Sequence, residues 1–184
     1  QSRRCPVAGQ LHIRPHNPTM PRTAKFARVL SVLHREGVLS DPECSGPIHD
    51  FIRKATEPVS YWHATAHYRS QAATAVLTGQ TFTSKSKYQD FCSENLSHEH
   101  IVPNTVIHAI LLAELELTET VIYQHLRHFG LRATISRAEN TSLRKAGFHA
   151  KMPPAFWIPR DPLHMDRFAR YKVVRVETGG SLYD

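Results

Sequence analysis

Cysteine is scarce in this chain. Cys5, Cys44 and Cys92 are the only three, an odd number and widely spaced. They offer neither a disulfide framework nor the paired CxxC knuckles of a structural zinc site, and they suit a reducing compartment. Long apolar runs are also missing. No stretch approaches the roughly 20 residues needed to span a bilayer, so no membrane association is expected. The N-terminal stretch is polar and proline-rich and lacks the apolar centre of a secretory signal. Acidic residues are in deficit: 16 Asp and Glu stand against 23 Lys and Arg, for a formal charge of +7. The pI of about 9.6 points to a polyanionic partner, most simply nucleic acid. Neither repeats nor low-complexity blocks occur. Hydrophobic content of 41% is ordinary for a globular protein, and the length allows a real core.

Periodicity predicts a helix-rich chain with a few short strands. Residues 1–21 carry Pro6, Pro15, Pro18 and Pro21 among scattered arginines and read as an extended basic arm. Phe26, Val29, Leu30 and Leu33 recur at helical spacing over 23–35, with Gly37 as the stop. Helices are further expected over 48–54, 59–77, 105–115, 120–129 and about 137–146. A short element is expected over 88–95. Thr118 is the expected N-cap of the helix over 120–129, and Gly130 its terminator. Strands are expected over 131–135 and, from the alternation in Tyr171–Val176, over 168–176. Ser136 and Glu139 form a capping-box pattern, which would start a helix at Arg137 and put Asn140 inside it.

Histidine is abundant, at 13 residues, so each needs weighing. His63 and His67 would share a helix face as a metal pair, but the glutamate that metalloproteases place after the first His is absent. His125 and His128 fall at a helix end that favours a cationic imidazole. His108 lies on an apolar helix and reads as a buried, hydrogen-bonded side chain. The densest chemistry is in Ser97-His98-Glu99-His100-Ile101-Val102-Pro103. Glu99 can hold a hard cation, and a neutral His100 can take a proton from water. Strand alternation puts His98 on the same side as His100.

Glu99-His100-Ile101-Val102-Pro103 resembles the acid-His-Ile-x-Pro opening of the HNH nucleases, which have a ββα-metal fold. Asn140, followed by His149 nine positions later, matches their second and third elements. The resemblance spans residues 96–151. It implies an α+β fold: a helix-rich single domain with an embedded ββα-metal motif. The chain then divides into a basic arm (1–21), a helical N-terminal part (22–95) and an HNH-like part (96–184) whose motif is interrupted by a helical insertion. It implies a metal-dependent endonuclease. His100 would be the general base, and Asn140 would fix its ring. Glu99 and His149, with His98 as a further ligand, would hold one divalent ion: magnesium, manganese, nickel or zinc. Arg137, Arg144, Lys145 and Lys151 would bind the backbone of nucleic acid, DNA rather than RNA. An inhibitor or immunity protein is an expected partner. The expected location is the cytoplasm, or delivery as a toxin domain if the chain is a fragment, since it starts at Gln1. The rival readings are a non-catalytic basic nucleic-acid-binding module, a helical interaction domain, and a metal-independent ribonuclease that pairs His100 with another histidine.

Overall fold

Helix formation follows the apolar spacing through most of the chain. The computed structural model describes residues 21–57 and 66–179. The basic arm, His63 and the first part of the helix expected over 59–77 lie outside them. Helix α1 (Arg22–Arg35) buries Ala27 and Leu30, and Gly37, at φ +77°, ends its run. Helix α2 (Ser45–Thr56) buries Ile48, Ile52 and Ala55. Two more helices face them. These are α5 (Asn104–Ala113), launched by Pro103, and α6 (Glu119–Phe129), capped by the Thr118 hydroxyl, which accepts from the Val121 N–H. Their apolar faces meet in the principal core around Leu30, Leu39, Ile52, Ile107, Ile122 and Leu126. That core draws on both sides of the expected division at residue 95. The division therefore separates sequence motifs and not packing units.

A three-stranded sheet stands beside this helical core in the order β1–β3–β2. β2 (Leu96–His100) runs antiparallel to the central β3 (Arg132–Ser136), with His100 opposite Arg132, Glu99 opposite Ala133 and His98 opposite Thr134. β1 (Tyr68–Arg69) runs parallel to β3, with Arg69 opposite Thr134. Helix α7 (Arg137–Lys145) follows β3 directly. It opens on the expected capping box, in which Ser136 and Glu139 satisfy each other's backbone N–H groups. Helix α8 (Ala169–Val174) joins α7 over one face of the sheet and encloses a second core of Ile101, Ala133, Ile135, Leu143, Tyr171 and Val176. Helices α3 (Gln71–Leu77) and α4 (Lys85–Asn95) seal a third around Ala73, Cys92 and Leu96. The result is mixed α+β, helix-rich and a single domain.

Two expectations fail for tertiary reasons. Within the described part of the helix expected over 59–77, residues 66–70 are not helical and α3 begins at Gln71, because Ser70 caps it there and Tyr68–Arg69 joins β3 as a strand. The strand expected over 168–176 is helix α8, which ends on Arg175 at φ +60°. The alternation of Tyr171 and the valines suggested a strand. Ala169, Arg170 and Tyr171 are buried in succession, which a half-buried strand with alternating faces does not give, and the segment packs as a helix beside α7. Among the described residues no helix is long and apolar enough to cross a membrane.

Candidate functional site

The pleat sorts the motif onto two faces. Odd positions of β2 point toward the second core, and there one oxygen of the half-buried Glu99 takes two hydrogen bonds. Its Oε1 accepts from Tyr171 Oη at 2.6 Å and from Arg170 Nη2 at 3.0 Å. Arg170 is 1% exposed. It also donates to the carbonyls of Ile101 at 2.8 Å and Phe148 at 2.7 Å, and to that of His100. Burial, and then the neighbouring carboxylate, push the Tyr171 hydroxyl well above its ordinary pKa. A buried guanidinium satisfied this way is a clamp between the end of β2, the segment after α7 and α8.

Even positions of β2 point to the opposite face, where cations and imidazoles gather. Burial, and then Arg132, lower the His100 pKa to about 3 and the His98 pKa to about 4. His67, just before β1, is lowered by the same two causes in the same order. All three imidazoles are therefore neutral at pH 7, beside Arg69 and Arg132. The carboxylate of Glu57 lies against this group, 2.7 Å from Arg53 and 3.7 Å from Arg132.

Hydrogen bonds assign two of the tautomers. Thr56 gives its one hydroxyl hydrogen to the carbonyl of Ile52 at 3.0 Å, with that of Arg53 at 3.1 Å sharing it. Its oxygen is then able to accept from His100 Nε2, 2.8 Å away. The basic nitrogen of His100 is then Nδ1. His67 Nδ1 accepts the Arg132 backbone N–H at 3.0 Å, so its proton sits on Nε2. His98 Nδ1 lies 2.8 Å from the Thr134 hydroxyl. Gly130 makes the Thr56 contact possible. A Cβ there would lie 2.1 Å from Thr56 Cγ2, so only glycine lets α6 end against this corner of α2. A cavity of about 300 Å³ opens here, lined by Arg22, Thr56, Glu57, His67 and Arg127.

The remaining expected site residues scatter. His149 is exposed and meets the Glu99 cluster only through its carbonyl, 3.4 Å from Arg170 Nη1. Asn140 sits inside α7, as the capping box implied, and makes no hydrogen bond to His100 among the described residues. Arg137 is exposed, and its guanidinium donates to the Ser93 carbonyl. Arg144, Lys145 and Lys151 are exposed with no carboxylate partner among the described residues. The residues do not fit the expected divalent ion. Glu99 already holds Arg170 and Tyr171, and His98 and His100 lie across the sheet from it among guanidinium groups. No three His, Cys, Asp or Glu side chains are grouped to hold a metal among the described residues. The sequence reading missed Arg69, Arg132, Thr56 and Thr134. The parity of β3 held the available signal: Arg132 and Thr134 alternate with the apolar Ala133 and Ile135.

Comparison with known proteins returns no matching family model, no similar curated protein and no similar solved structure.

Proposed function

We propose that this chain is a nuclease that binds RNA across the His67–Arg132–His100 face and cleaves it without a metal. One observation carries the reading: two imidazoles held neutral flank a guanidinium on one sheet face, one able to accept a proton and the other to donate a hydrogen bond. Net positive charge there favours a phosphodiester and disfavours a cation. His100 Nδ1 takes the proton of a 2′-hydroxyl as its oxygen attacks the adjacent phosphorus. Arg132 and Arg69 offset the charge that develops on the phosphoryl oxygens. The bond to the 5′ oxygen breaks, and that oxygen takes a proton from water. The products are a 2′,3′-cyclic phosphate and a 5′-hydroxyl. The hydroxide left by that water takes the proton that His100 gained, while His67 Nε2–H donates a hydrogen bond to a phosphoryl oxygen. A bound phosphate also raises the depressed imidazole pKa values toward a useful range, because it opposes the arginines. Arg144, Lys145 and Lys151 supply sequence-independent phosphate contacts. An inhibitor protein for such an enzyme would present carboxylates to the same face.

The test is incubation of RNA and of DNA of the same sequence with chelator. RNA should be cut to cyclic-phosphate ends and DNA left whole. Cutting of DNA, or cutting that needs added metal, sinks this reading. The metal-dependent HNH reading keeps one observation in its favour, the β2–β3–α7 order with α5 and α6 between the strands. It predicts cleavage abolished by chelator.

A further inference from the structure

Beyond the cleaving face, β2 is the edge strand of the sheet, and a second cavity of about 330 Å³ lies along it. Its lining includes Tyr88, Gln89, Cys92 and Leu96, with His98 and Arg137. The floor is apolar: Leu96 is 1% exposed and Cys92 6%. The rim is polar and open, since Gln89 and Arg137 are both exposed. The Tyr88 ring is braced edge-on by Phe82, with centroids 5.1 Å apart. His98, which lines the cavity, stands on the same face of β2 as His100. This volume, an apolar floor and a few fixed polar groups are what a flat heteroaromatic ligand needs. An amide at the rim can donate and accept together, as the edge of a nucleobase demands.

We infer that this cavity is a nucleobase subsite: it holds the base of a nucleotide adjoining the phosphate on the His face. The base packs on the Tyr88 ring, Gln89 reads its edge, and Arg137 contacts the phosphate beyond it. This rests on the RNA-binding reading above. It adds to that reading a preference for certain bases, set by Gln89, at a fixed place next to the cleaved bond. Arg137 thereby gains a defined role, separate from the diffuse contacts of Arg144, Lys145 and Lys151.

The test uses short 2′-O-methyl oligonucleotides of each single base, which lack the attacking hydroxyl and so report binding alone. Fluorescence anisotropy of the full chain should rank them with at least about a tenfold spread, the range of one two-hydrogen-bond contact to a base. Gln89→Ala should collapse the spread with little loss for the weakest oligonucleotide. Tyr88→Leu should weaken all of them by roughly 5- to 100-fold, and Tyr88→Phe should retain most of the affinity. Gln89 is exposed, so its variant keeps the test decisive if Tyr88→Leu fails to fold. Binding with an unchanged spread in Gln89→Ala overturns the subsite and leaves the cleaving face standing. Binding of none of the oligonucleotides by the unaltered protein overturns both.

Discussion

The two faces of one small sheet carry opposite electrostatic solutions. On the Glu99 face, opposite charges meet at the edge of a core, Arg170 buried and Glu99 partly so, and hydrogen bonds join them. On the His face, positive groups outnumber negative ones, and the imidazoles stay neutral in order to coexist with them. Adjacent residues Glu99 and His100 therefore live in different chemistry, although their α-carbons are one residue apart. The first arrangement fixes a structure. The second gathers cations beside neutral imidazoles, which is the face the proposed phosphodiester would meet.

The comparison breaks most visibly at Arg170. Arg170→Met should destabilise the fold by about 2–4 kcal/mol, because it leaves the partly buried Glu99 carboxylate without its charged partner and three backbone carbonyls without their donor. Urea unfolding checks this, and Arg170→Met together with Glu99→Gln should recover part of the loss. No such loss should follow from His100→Ala. There, cleavage of RNA should fall by a factor of about 100 to 10,000 with folding kept, as for loss of a general base. A variant that unfolds would make His100 a structural residue like Glu99.

The His face should also make stability depend on pH. Histidines whose folded pKa lies below the unfolded value of about 6.5 bind protons more readily once unfolded. Their contribution is complete above pH 6.5 and is lost as pH falls toward the folded values of about 4 for His98 and about 3 for His100. Between pH 7 and pH 5 each should cost about 1–2 kcal/mol. Urea midpoints at the two pH values measure the sum, and adding phosphate should reduce the difference. For the same reason, kcat/KM of the free enzyme should be nearly flat from pH 5.5 to 8 even though a histidine is the base.

Smaller effects sharpen the boundary between the faces. Gly130→Ala should force Thr56 away from His100, destabilising by about 1–3 kcal/mol as overpacking does and lowering cleavage as well. Lys145→Ala or Lys151→Ala should leave stability within about 0.5 kcal/mol. Either should also reduce the salt dependence of RNA binding by about one phosphate contact. A larger stability change at either lysine would mean that α7 does more than present charge.

The sequence by itself determined much of the helical frame. The spacing of Leu30, Ile52, Ile107 and Ile122 against turn and cap residues such as Gly37, Pro103 and Thr118 specifies amphipathic helices without reference to partners, because helix signals are local. Ser136 and Glu139 likewise placed the start of α7, and strand alternation put His98 beside His100. Only the tertiary structure decided what those side chains meet. Arg170 lies 71 residues from Glu99, and its segment read as a strand; nothing local says that it would take the carboxylate a cation was expected to bind. His67 and Arg132 are 65 residues apart and meet because Tyr68–Arg69 joins β3 as a parallel strand, a pairing that the sequence of a two-residue strand cannot announce. Whether a carboxylate serves a metal or an arginine, and whether an imidazole is charged or neutral, depends on long-range desolvation and on the nearest opposite or like charge. Both are properties of the packed chain and not of the motif.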